Sequence, residues 1–166
     1  TGGLTNNSAN LQTLNVPVVL SGSPTVNAAT GDVALSGVFS GSGNLNKVGN
    51  GALALSATGN SSSGNLNVLG GTLNMTGGST AFGTGTSQVG FRDQSGNMNI
   101  SDGTFTAGGE FRVGYSDVNG TTDNAVGNVT VSGGANVLVS KLIVARGKNN
   151  QNTVAGTVTI NSGMVS

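Results

Sequence analysis

The sequence predicts an all-β chain wound as a right-handed parallel β-helix, a solenoid with about three short strands per coil of ~30 residues. Three observations predict it. A motif of glycine, six residues and glycine recurs four times at near-constant spacing. Within each repeat, apolar and polar residues alternate with period two, the signature of half-buried strands. Glycine, at 30 of 166 residues, punctuates the pattern at a density that would weaken any helix by about 1 kcal/mol per site relative to alanine.

The four units are Gly64-Asn-Leu-Asn-Val-Leu-Gly-Gly71, Gly96-Asn-Met-Asn-Ile-Ser-Asp-Gly103, Gly127-Asn-Val-Thr-Val-Ser-Gly-Gly134 and Gly156-Thr-Val-Thr-Ile-Asn-Ser-Gly163. Their first glycines are 32, 31 and 29 residues apart. Each unit reads as strand, turn, strand, turn, strand. In the second, Met98 and Ile100 alternate with Asn97 and Asn99, and Phe105 and Ala107 with Thr104 and Thr106. Phe111, Val113 and Tyr115 then alternate with Glu110, Arg112, Gly114 and Ser116.

Three such strands bury no apolar face alone, but stacked coils do, each strand pairing in parallel with its counterpart about 4.8 Å away. Five to six coils of this length predict a rod of about 25 Å. The competing architecture, an antiparallel β-sandwich, offers no reason for a fixed repeat.

Stacking the units on their glycines places Leu73 in the column of Phe105, and Asn65/Asn67 in one polar column with Asn97/Asn99, Asn128/Thr130 and Thr157/Thr159. That column holds no continuous threonine ladder of the ice-binding kind. It reads as asparagine and threonine stacking on themselves. The same alignment would turn Asn136 inward, so a one-residue slip that points Val137 and Val139 inward is the favoured register.

Composition narrows the chemistry. Charged residues are 7% of the chain, and six basic and six acidic side chains cancel. No electrostatic footprint for nucleic acid or anionic lipid results. Without Cys there is no disulfide framework or thiolate site, and without His no His-based catalysis or ordinary zinc site. The longest apolar stretch, Val16 to Leu20, is interrupted by Pro17 and is too short to span a bilayer. Asn, Ser and Thr exceed a third of the residues and wet the surface in place of charge. This balance suits an exported protein. No secretory signal stands at Thr1, and the chain stops mid-unit at Gly163-Met-Val-Ser166, which reads as an excised or processed segment.

Few side chains suggest a site. Val89-Gly-Phe-Arg-Asp93 aligns with Val113-Gly-Tyr-Ser-Asp117, so Asp93 and Asp117 fall one coil apart with Arg92 and Arg112 nearby. Paired carboxylates at that spacing serve glycoside hydrolysis or calcium binding, against the plainer reading of solvated turn residues. The stretch from Asp117 to Asp123 loosely resembles a calcium loop without its alternating ligands, making Asp93, Asp117 and Asp123 the candidates for a surface calcium. An ordinary Asx turn explains the same residues. Glu110 aligns with Lys141 as a cross-rung ion pair. No phosphate loop is present. The structural repeat residues are Gly64, Gly71, Gly96, Gly103, Gly127, Gly134, Gly156 and Gly163.

The stretch Leu45 to Leu73, carrying Lys47, Gly49, Gly51, Leu53, Leu55, Ser56, Asn60, Gly64, Val68, Gly71 and Thr72, resembles the passenger-associated strand repeat of bacterial autotransporters. Gln12 to Gly22 and Val33 to Gly43 resemble that family's lead-in, and the downstream Gly-Asn-Val-Thr-Val-Ser-Gly-Gly units resemble arrays of very large bacterial surface proteins. The family usually carries an aromatic residue where this chain has Ser61, Ser62 and Ser63.

The resemblance divides one segment, 1–166, into lead-in coils (1–43), a passenger-type repeat (44–95) and the later repeats (96–166). It implies a parallel β-helix outside the cell, acting as stalk, filament or adhesive scaffold. The expectation is a non-enzymatic surface protein, without a resident cofactor, whose partners are adjoining coils, copies of itself or surface glycans. The alternative is a polysaccharide-binding or polysaccharide-degrading β-helix using Asp93, Asp117, Arg92 and Arg112.

Overall fold

The computed structural model describes residues 2–118, 123–148 and 153–166. Its first coil is β1 (Gly3–Asn6), β2 (Gln12–Leu14) and β3 (Val18–Leu20). The second is β4 (Thr25–Ala28), β5 (Val33–Leu35) and β6 (Phe39–Gly41), and the third β7 (Leu45–Val48), β8 (Ala52–Leu55) and β9 (Asn60–Ser62). Further on, β10 (Leu66–Val68), β11 (Thr72–Phe82), β12 (Ser87–Phe91), β13 (Ser95–Tyr115), β14 (Val126–Val131), β15 (Asn136–Arg146), β16 (Ala155–Ile160) and β17 (Met164–Val165) complete the chain. Strands β11, β13 and β15 turn corners while keeping their ladders. Every strand pairing among the described residues is parallel.

The result is a three-faced parallel β-helix. The first face stacks β1, β4, β7, β10, β12 and the ends of β13 and β15. The second stacks β2, β5, β8, the starts of β11 and β13, then β14 and β16. The third holds β3, β6, β9, the end of β11, the middle of β13, the start of β15 and β17.

Seven coils result, where five to six were expected, because the early coils are shorter than ~30 residues. Val33, Leu53 and Leu73 stack at intervals of 20 residues. Leu73, Met98, Val129 and Val158 then stack at 25, 31 and 29. Most of the growth enters at the corner between the first and second faces: from Val68 to Leu73 is 5 residues, but from Val89 to Met98 is 9, from Val113 to Val129 is 16 and from Val144 to Val158 is 14.

The shorter period corrects one alignment. The Gly64 unit carries β10, on the first face, where Asn67 pairs with Asn46 below and Gln88 above. The Gly96, Gly127 and Gly156 units share the second face. Leu73 therefore lies against Met98, and Phe105 lies in another column. The asparagine columns separate in the same way. Thr72 and Asn74 precede Asn97/Asn99, Asn128/Thr130 and Thr157/Thr159. The ladder itself forms: Asn99 Nδ2 donates to Asn74 Oδ1 (3.0 Å), Asn128 Nδ2 to Asn97 Oδ1 (3.0 Å) and, on the first face, Asn67 Nδ2 to Asn46 Oδ1 (2.8 Å). The slip at Asn136 is present. Val137 pairs with Phe105 and Val139 with Ala107, and Val137 is buried.

The interior is built from like-on-like columns. Leu35, Leu55, Met75, Ile100 and Val131 form one, with Ile160 above them. Phe39, Phe82, Phe105 and Phe111 form a tilted aromatic series, with ring centroids 5.4–6.3 Å apart. The third coil puts buried Asn60 and Ser62 between the levels of Phe39 and Phe82. Asn60 accepts the Phe39 N–H at 3.0 Å and donates to Ala57 O and Thr80 Oγ1, while Ser62 Oγ donates to Gly43 O at 2.6 Å. With these polar groups satisfied, the serine-rich turn closes without an aromatic residue.

Candidate functional site

Every charged side chain except Asp32, Lys47 and Asp102 lies on the first face of the last three coils or the corner that follows it. The candidate site is built there. Glycine makes the corner: Gly90 and Gly114, at φ 70° and 64°, place a left-handed kink after Val89 and Val113. The kink turns Phe91 and Tyr115 into a stacked pair, 6.3 Å between centroids and 11° between planes. Arg92 follows Phe91 at φ 55°, with its guanidinium carbon 4.9 Å from the Phe91 centroid. Arg112 lies 4.1 Å over the Tyr115 ring. Such cation–π contacts contribute about 0.5–1 kcal/mol each at exposed sites.

The predicted residues take separate partners. Arg92 Nε donates to Asp117 Oδ1 at 3.1 Å, an exposed pair. Asp93 Oδ1 accepts the Asn124 N–H at 3.1 Å. Arg112 pairs with Glu110 Oε2 at 2.6 Å, and Lys141 reaches Glu110 Oε1 at 2.9 Å, as the alignment of Glu110 with Lys141 anticipates. Hydrogen bonds from Lys141, then Arg112, lower the Glu110 pKa to about 2. Asp123 is buried and accepts a hydrogen bond from Ser116 Oγ, while its carbonyl takes the Thr153 N–H at 2.7 Å. Of the loose calcium loop, residues 119–122 lie outside the described residues. Among the described residues no cluster of three acidic groups is placed to hold a metal ion.

Phe91, Arg92, Asp93 and Gln94 line a shallow cleft of about 350 Å³ together with Leu69 from the coil below. Sequence reasoning singled out Arg92 and Asp93. It missed Phe91, whose signal was an aromatic residue at a repeated Val-Gly-aromatic corner.

A second feature was legible only as a motif position. Lys47 is fully buried, in an inward column between Val26 and Val68. Its Nζ donates to the carbonyls of Val48 (2.8 Å), Gly49 (3.0 Å) and Gly70 (2.9 Å), which closes the corner of the third coil onto the fourth. Burial lowers its pKa to about 8 against the opposing pull of Asp32.

Among the described residues no helix is long and apolar enough to cross a membrane. Compared with protein-family models, curated proteins and solved structures, the chain matches none.

Proposed function

We propose that this chain is a structural segment of an extracellular or bacterial cell-surface protein, a rigid rod that works by stacking coils and carries out no catalysis. One observation carries the reading. Leu35, Leu55, Met75, Ile100 and Val131 stack in one parallel column from the second coil to the sixth, and each is at most 3% exposed. A column continuous over five coils makes each coil the packing surface of the next, which is how a solenoid becomes a rod. The resemblance of residues 45–73 to the autotransporter passenger repeat, the low charge and the absence of Cys support a stalk, filament or adhesive scaffold outside the cell.

The test is sedimentation and small-angle scattering over a concentration series, with Ile160→Lys as control. End-to-end stacking predicts rods of constant cross-section that lengthen with concentration, and the lysine, by placing a charge in the stacking column, returns them to single units. A concentration-independent monomer whose terminal coils exchange amide protons freely would sink the assembly reading.

A further inference from the structure

We propose that the third coil sets the register of the rod: Lys47, Asn60 and Ser62, buried inside it, specify which residue of one coil lies over which residue of the next. This goes beyond the scaffold reading and does not depend on where the protein acts. Apolar packing leaves the choice open. Leu53 and Leu55 lie between Val33 and Leu35 below and Leu73 and Met75 above. Sliding one coil by two residues keeps every side chain on its own face and sets one aliphatic residue against another, because the alternation has period two. A buried polar group discriminates more sharply. A slip that parts it from its partner leaves both desolvated and unsatisfied.

Three observations place that discrimination in the third coil. First, β7, β8 and β9 bury Lys47, Asn60 and Ser62 beside Leu45, Leu53 and Leu55, whereas every buried side chain of β4, β5 and β6 is apolar. Second, the polar bonds run between coils and on two faces. On the third face Asn60 accepts the Phe39 N–H of the second coil at 3.0 Å and donates to Thr80 Oγ1 of the fourth at 3.2 Å. On the first face Lys47 Nζ donates to Gly70 O of the fourth coil at 2.9 Å. A two-residue slip moves one partner of each bond about 6.6 Å along its strand, beyond hydrogen-bonding reach. Third, Ser62 ties the two ends of the coil together. Its Oγ donates to Gly43 O, ahead of β7, at 2.6 Å and accepts the Gly64 N–H, after β9, at 3.1 Å. Buried polar groups of this kind fix register in other stacked assemblies where apolar seams alone do not.

The experiment is disulfide trapping in the whole chain, which has no cysteine of its own. Ala52 pairs with Thr72, and Ala54 with Asn74, across the junction of the third and fourth coils. Ala52→Cys with Thr72→Cys brings two thiols onto directly paired residues about 4.8 Å apart, within reach of a disulfide. Ala54→Cys with Thr72→Cys, or Ala52→Cys with Asn74→Cys, sets them about 8 Å apart, so these diagonal pairs close only after a two-residue slip. Each pair is refolded in a glutathione buffer and read as the fraction of thiols lost. With the third coil otherwise intact, the direct pair closes and both diagonal pairs stay reduced. Adding Lys47→Met and Asn60→Leu is expected to raise diagonal crosslinking about tenfold or more relative to the direct pair. Leu55→Ala, which removes a buried apolar side chain from the same coil, is the control: it lowers the thermal midpoint and leaves the ratio as it was. Thr80→Val removes only the cross-coil acceptor of Asn60 and keeps the side chain's shape. It is expected to raise the diagonal pairs in a chain that still melts cooperatively, and it decides the matter if the double variant does not fold. A ratio unchanged in the polar variants, or shifted as far by Leu55→Ala, overturns the proposal. Neither result touches the scaffold reading, which sedimentation tests separately.

Discussion

Gly127 lies directly against the carbonyl oxygen of Val89, in the coil below, so closely that a methyl group on its Cα would overlap that oxygen. Gly96 meets the Val68 oxygen and Gly156 the Val113 oxygen in the same way. The repeated glycine thus marks where one coil's second face starts against the previous coil's first face. Gly127→Ala should destabilise the chain by about 3 kcal/mol, since backbone cannot yield as a flexible side chain does. Chemical denaturation checks this, and a loss below about 1 kcal/mol would show that the corner adapts.

The kink one turn away gives opposite signs at equivalent positions. Gly90, Gly114 and Ala145 follow Val89, Val113 and Val144, and all three are left-handed, at φ 70°, 64° and 52°. A Cβ on Gly114 would run into the Ala155 carbonyl of the next coil. Gly114→Ala is expected to destabilise by about 2–3 kcal/mol. Ala145→Gly, which relieves a strained backbone, should raise stability by up to about 1 kcal/mol. Paired melting curves of the two variants decide the matter.

Lys47 makes stability depend on alkaline pH. Its native pKa is about 8, against 10.5 unperturbed. Below pH 8 both states hold the proton and the contribution is flat. Between about 8 and 10.5 the native state releases it first, so folding becomes more favourable as pH rises. Relative to Lys47→Met, the unsubstituted chain should gain stability across that window, measured as the difference in denaturation midpoints. A difference that stays flat to pH 10.5 would mean that the three carbonyls fully offset the desolvation of the ammonium.

Glu110 acts at the other end of the scale. With its pKa held at about 2 by Lys141 and Arg112, its contribution is complete above the unfolded value near 4.5 and is lost as pH falls from there through 2. Acid unfolding of Glu110→Gln should lack that part of the slope. High salt should shrink the difference, because the pair with Lys141 is exposed. Identical acid limbs for the two proteins would contradict the pairing.

The alternation of Met98 and Ile100 with Asn97 and Asn99 was readable directly, because a strand buried on one side needs nothing but period two. So were the parallel stacking, the pairing of Glu110 with Lys141 and the slip that turns Val137 inward. The aromatic corner at Phe91 was not, because its meaning depends on Leu69, a residue of the coil below.

What the sequence determined by itself is therefore the kind of object: a coil of short strands with an apolar inside, a polar outside and very little charge. What only the tertiary structure decided is which strand lies over which. Gly64-Asn-Leu-Asn-Val and Gly96-Asn-Met-Asn-Ile match in sequence yet stand on different faces. All three faces impose the same alternation, so local pattern carries no label for the face. The label comes from closure of each coil, from 20 residues between Leu53 and Leu73 to 31 between Met98 and Val129. Closure depends on how many residues each corner takes to bring the next strand back into hydrogen-bonding register.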